Sequence, residues 1–279
     1  MSRMDCMARP SDHSLPRTRG PWRAPSAPQR TRCCRSRSGF SAAARGFTLV
    51  EFMVVIAIVV ILTALLMPSL SRAQQAADRL RCASHLRQVG AAIVGFLDDN
   101  NDRLPVLSAA LENPPRYSEG MALTKGDGSE VDGLGRLLSC APFGGYLADP
   151  QLLYCPCHRG EHPFARYAAQ ISGTELDTET GQVAYCNYHY RSQRDPITGL
   201  QLRDPMRSDL VLVTDGMRTQ ADFNHVTGTN RLFGDTHVDW RADVGRDILD
   251  RIPLGSGIFE SPTVYRNLWD LVEGDPDGR

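Results

Sequence analysis

The chain has 279 residues, enough for one or two domains, and a formal net charge of −1. That near-neutrality hides a split: residues 1–46 carry ten Arg against Asp5 and Asp12, a net of +8, which leaves −9 for the rest. Thirty Arg accompany a single Lys, Lys125, which reads as a coding bias and gives no ground for a nucleic-acid partner.

Residues 1–46 are rich in Arg, Ser and Pro and poor in apolar side chains, so they are expected not to fold. Met4 and Met7 are alternative starts within them. Basic arms of this kind can bind nucleic acid, but this one abuts an apolar run. From Phe47 to Met67 there are 21 residues, and Glu51 is their only charge. At about 1.5 Å per residue, such a helix spans the ~30 Å apolar core of a bilayer. A signal peptide fits poorly, because its apolar core is shorter and its small-residue cut site follows it; here Met67-Pro68-Ser69 follows. Flanking basic residues stay cytoplasmic, which sends the acidic part outward. An unpaired Glu51 in lipid costs roughly 2.5–3.5 kcal/mol on insertion scales, so it needs a partner.

Pro68 removes one backbone hydrogen bond and is expected to kink the helix. Beyond it, Leu70, Ala73, Ala77, Leu80, Leu86, Ile93, Phe96 and Leu97 recur at roughly helical steps, with Arg72, Asp78, Arg79 and Arg87 between them. Asp98-Asp99-Asn100-Asn101 and Pro105 end the pattern. The organisation that follows is a basic segment 1–46, a membrane helix 47–67, an amphipathic continuation 68–104 and a globular head 105–279.

Residues 106–150 read as loops with a short helix near 133–138, and Asp127, Glu130 and Asp132 as a solvated acidic loop whose spacing fails the EF-hand pattern. Strands are expected over 183–190 and over the wholly apolar 210–213. A hairpin is expected from a strand at 230–233, a turn at Gly234-Asp235 and a strand at 237–240, with Val238 and Trp240 toward the core. Ser261 and Pro262 then start a helix striped with Leu268, Leu271 and Val272.

Five cysteines lie beyond residue 46. Cys82 reads as a small packing residue, while Cys140, Cys155, Cys157 and Cys186 are candidates for disulfides in an oxidising compartment, Cys155 or Cys157 pairing with Cys140 or Cys186. Free thiols are one alternative. A zinc site from Cys155, Cys157, His158 and Cys186, with His162 or His189, is the other, although Cys-x-Cys-His is tighter than the usual ligand spacing. His225, Asp235 and His237 could serve a metal or acid/base role, but no nucleophile motif, phosphate loop or carboxylate pair accompanies them. A structural His fixing the turn is the preferred reading. No residue is assigned as catalytic, no metal site is assigned and no cofactor is expected.

Gly46-Phe47-Thr48-Leu49-Val50-Glu51 ahead of the apolar run resembles the N-terminus of type IV prepilins and type II secretion pseudopilins. The resemblance implies an α+β, lollipop-shaped fold, with the long N-terminal helix packed on a small antiparallel sheet that carries loop insertions. It implies cleavage after Gly46 and methylation of Phe47 by the prepilin peptidase/N-methyltransferase, with Glu51 as the carboxylate that places each subunit against its neighbour. The Pro at position 68 suits it, and calcium is held in a head loop of the major pseudopilins. The implied partners are other pilin-like subunits, the inner-membrane assembly machinery and membrane lipid. The implied location is the inner membrane, single-pass, with the N-terminus cytoplasmic and the head periplasmic or in a fibre. A membrane-tethered binding module that uses the prepilin route only for delivery is the alternative. Three further passages resemble prepilin-like proteins of planctomycete and related bacteria. They are Leu80 to Gln88 with Asp99 to Pro105, then Asp149-Pro150 to Cys155-Pro156, and a His followed after nine residues by Asp-Gly, here His225 to Asp235 with Thr236 in place of the Gly.

Overall fold

The computed structural model describes residues 47–139, 145–172, 175–178, 181–225, 227–255 and 262–274. Expectations for residues 1–46, Cys140 and Ser261 lie outside these. The chain divides into two units, residues 1–55 and 56–279.

Helix α1 (Leu49–Asp99) runs through Pro68 without ending there. Proline has no N–H, so the Ala64 carbonyl loses its helical donor. The stop is local. The Asn100 side chain donates to the Phe96 carbonyl, Asn101 and Asp102 turn to positive φ, and the Asp102 N–H closes on the Leu97 carbonyl, an αL-type end. Among the described residues α1 is the one helix long and apolar enough to cross a membrane, with a mean hydropathy of 3.0 over its most apolar 18 residues.

The expected apolar stripe holds only in its later half. Leu70 and Leu80 are exposed, and the buried positions are Cys82, Ala83, Leu86, Val89, Gly90, Ala92, Ile93, Phe96 and Leu97. Stepping back along that face from Cys82 reaches Arg79, which lays its guanidinium 4.3 Å over the Trp240 ring and donates to Thr227. The packing face therefore continues as a cation on an aromatic ring rather than as Leu80.

The segment after α1 is largely loop and 3₁₀ turn, with a short helix α2 (Arg136–Ser139) where one is expected, and then helix α3 (Phe164–Tyr167). The three acidic residues do not form one solvated loop. Asp127 accepts from Ser129, Glu130 pairs with Lys125, and Asp132 is buried because it accepts from the Ser108 N–H and hydroxyl.

Strands β1 (Ile171–Ser172) and β2 (Glu175–Leu176) form a small antiparallel pair. The main sheet is an antiparallel meander of β3 (Tyr188–Tyr190), β4 (Val211–Asp215), β5 (Gly228–Phe233) and β6 (Val238–Ala242) in that order. The pairs Tyr188↔Asp215, Val213↔Leu232 and Leu232↔Val238 place those side chains on one face, and Asn230↔Trp240 continues it. That face meets α1: the space beside Gly90 is filled by Leu232, and a Cβ there would lie 2.9 Å from its Cδ1.

The opposite face meets α4 (Pro262–Glu273). His189 stacks on Tyr265 and meets the edge of Trp269, and Arg231 donates to the Val272 carbonyl. Arg191, fully buried, is held by Glu273 and Asp195, and Glu273 also accepts from the Val211 N–H. Covered on both sides, β3, β4 and β5 are buried at every residue. A long apolar helix and a four-stranded antiparallel sheet thus define an α+β fold of the pilin-like type.

Candidate functional site

At the N-terminal end of α1, Thr48 and Glu51 cap the helix reciprocally. The Thr48 N–H and hydroxyl both donate to Glu51 Oε2 at 2.8 Å, and the Glu51 N–H donates to Thr48 Oγ1 at 3.2 Å. This is a capping box, in which two of the four unpaired N–H groups at a helix start are satisfied by side chains three residues apart. The Thr-x-x-Glu spacing before an apolar run carries that signal. It gives Glu51 a partner in a region where charge is costly.

A second constellation lies in the unit formed by residues 56–279. Cys155-Pro156-Cys157-His158 turns tightly, with the His158 N–H on the Cys155 carbonyl, and this brings the Cys155 and Cys157 sulfurs to 3.1 Å. His85 on α1 donates through Nδ1 to the Tyr154 carbonyl at 3.1 Å and so fixes this turn against the helix. His225 comes in from the segment before β5. Its Nδ1 is 3.5 Å from Cys157 Sγ, and its Nε2 is 3.8 Å from both sulfurs. Cys82 on α1 reaches the Tyr188 hydroxyl at 3.2 Å and Asp215 Oδ1 at 3.5 Å. Ligand-type atoms of Cys82, Cys155, Asp215 and His225 all lie within 4.8 Å of one another.

The electrostatics keep the three thiols protonated at neutral pH. Burial pushes the Cys82 thiol up to about 11. Contact with Cys157 favours the Cys155 thiolate, but the neighbouring Cys82 and burial outweigh it and leave that thiol raised. For Cys157 the contact with Cys155 comes first and burial second, and both raise it. Burial opposes the His225 imidazolium, yet Cys157 and the Asp215 charge more than compensate and its pKa goes up.

The structure redistributes the residues singled out in the sequence. Asp235 and His237 pair with each other at the exposed turn of the β5–β6 hairpin, and His237 stacks on Phe233. His225 packs instead on the Trp240 edge and the two cysteines. Of the set considered for zinc, Cys155 and Cys157 stay together, while the others turn elsewhere. Cys186 donates to the carbonyls of Met121 and Tyr188, His158 pairs with Asn224, His162 with Tyr167, and His189 donates to the Tyr117 carbonyl. The described cysteines Cys82, Cys155, Cys157 and Cys186 are free thiols. Cys82, read as packing, is the member that sequence reasoning missed.

Residues 41–67 match the family model of the prokaryotic N-terminal methylation motif. No curated protein matches the chain, and no solved structure does. The motif and the membrane-capable helix support a membrane-anchored, single-pass, type IV prepilin-like protein and mark it as a prepilin peptidase substrate. The motif indicates a structural role.

Proposed function

We propose that the protein is a structural prepilin-like subunit, cut between Gly46 and Phe47, methylated on Phe47, and assembled into a pilus or a type II secretion-like pseudopilus. The observation that carries the reading is the methylation motif over residues 41–67. Its physical content is consistent with that role. The run after Phe47 carries no charge apart from Glu51, and cleavage creates an α-amino group that can pair with Glu51 of an adjacent subunit inside lipid, where such a pair is worth most. Lateral packing of residues 47–67 supplies the rest. The basic segment keeps the N-terminus cytoplasmic, and the head is periplasmic.

Intact-mass and N-terminal analysis of the protein from membranes, with and without prepilin peptidase, tests this. The expected result is a chain beginning at N-methylated Phe47 only when the peptidase is present. A chain that keeps residues 1–46 in both strains overturns the reading and favours a tethered module.

A further inference from the structure

We propose that Cys82, Cys155, Cys157 and His225 form a site for one thiophilic divalent metal ion, Zn²⁺, where helix α1 meets the loops of the head. The inference goes beyond subunit assembly and does not depend on it.

The first argument is convergence. One sulfur comes from α1, two from the Cys-Pro-Cys turn and the imidazole from the segment before β5: Cys82, Cys155 and His225 meet within 4.8 Å, and Cys157 joins them 3.1 Å from the Cys155 sulfur. The second is distance. With Zn–S near 2.3 Å and Zn–N near 2.0–2.1 Å, a tetrahedral site has S···S edges of about 3.8 Å and S···N edges of about 3.5 Å. His225 Nε2 lies 3.8 Å from both the Cys155 and the Cys157 sulfurs, and the Cys82 sulfur lies within 4.8 Å of the imidazole and of the Cys155 sulfur. The Cys155–Cys157 separation of 3.1 Å is inside the ideal edge and opens slightly when an ion enters. It is far from the ~2.05 Å of a disulfide.

The third argument is support. Metal ligands are oriented by the groups behind them. Asp215, fully buried, lies beside Cys82, and its carboxylate is fixed by the Asn230 N–H at 2.7 Å and the Asn224 side chain at 3.0 Å. The Tyr188 hydroxyl lies 3.2 Å from the Cys82 sulfur, close enough to donate to a thiolate there. Trp240 packs against the His225 ring and sets its plane. A cavity of about 540 Å³, lined by Cys157, His225, Asn224, Asp78 and Arg79 among others, opens onto the cluster and gives an ion a way in.

Three sulfurs and one imidazole are a soft donor set that selects zinc over calcium or magnesium. Entry of the ion releases the thiol protons, and the thiolates and imidazole then close a four-coordinate site with no open position. Such a site is structural. It fastens α1 to the head through Cys82.

The test uses the full chain, purified in detergent without chelator or reductant. Expected are one zinc per chain by elemental mass spectrometry and, after exchange with Co²⁺, a thiolate-to-cobalt charge-transfer band. Cys157→Ser and His225→Ala should each lower zinc affinity beyond the roughly 10–100-fold that loss of an outer partner costs. If His225→Ala does not fold, His225→Cys should fold, retain the metal and strengthen the cobalt band. A disulfide among these cysteines in the isolated chain, shown by an intact mass lacking two hydrogens, overturns the proposal. So does a folded, reduced chain that takes up no added Zn²⁺, or unchanged zinc binding in Cys157→Ser.

Discussion

His189 shows how one side chain can tie the fold to pH. It is fully buried between β3 and α4, donates through Nε2 to the Tyr117 carbonyl at 2.9 Å and stacks on Tyr265. Its other nitrogen, Nδ1, has no hydrogen-bond partner, so a second proton there would be unsatisfied. Burial holds its pKa down to about 4 from the ordinary 6.5. The unfolded chain therefore binds more protons than the folded one between these values. Stability is complete above pH 6.5 and falls as pH drops toward 4. Each pKa unit is worth 1.36 kcal/mol, which makes the loss about 3 kcal/mol. Denaturant unfolding of the detergent-solubilised chain at pH 7 and pH 4.5 should show most of this loss for the native chain and a smaller one for His189→Gln, which keeps a donor but does not titrate. Equal losses in both proteins would mean that His189 is not the group responsible. The residue's strand was legible from alternation and aromatics, but its burial on the second face was not, because that face is closed by α4 from the far end of the chain.

At the level of elements, local signals read well and facing signals did not. The β5–β6 hairpin follows from its turn residues and flanking apolar positions; β5 starts two residues before the expected bound, while β6 starts one residue later and ends two residues later than expected. The α1 stripe was displaced after Pro68 because Leu70, Ala73, Ala77 and Leu80 satisfy a helical spacing on their own. Only the partner surface decides which face is buried. The hairpin turn contains an unusual choice: Thr236 sits at φ +71°, where a β-branched side chain crowds its own backbone and glycine does not. A left-handed non-glycine residue costs roughly 1–2 kcal/mol. Part of that is offset here by packing, since the Thr236 Cβ approaches Gly90 on α1. Thr236→Gly should therefore stabilise the chain by about 1 kcal/mol, read as a higher midpoint of denaturant unfolding. An unchanged or lower midpoint would show that the α1 contact outweighs the backbone strain.

For the whole molecule, the membrane helix and the methylation motif were legible because both are contiguous. The thiol–imidazole cluster was not, because its Cys155 and His225 lie 70 residues apart and Cys82 is on a different element. Glu51 joins the two kinds of reading, since one carboxylate carries two roles that sequence alone superimposes. It caps α1 with Thr48, and in the proposed assembly it also pairs with a neighbouring Phe47 amine. Removing it as Glu51→Ala deletes both roles and cannot separate them. Glu51→Gln can, because Gln serves the capping box as Glu does while carrying no charge. Thr48→Ala does the reverse, at a capping cost of about 1 kcal/mol. If the charge pair drives assembly, Glu51→Gln should be cleaved normally yet enter fibres at least about tenfold less, which corresponds to only 1.4 kcal/mol of lost pairing. Thr48→Ala should be cleaved and incorporated at close to the native level. Quantifying fibre-bound against membrane-bound subunit in both variants decides it. The opposite pattern, with Thr48→Ala failing and Glu51→Gln assembling, would assign Glu51 to the helix start alone and leave assembly to the apolar packing of residues 47–67.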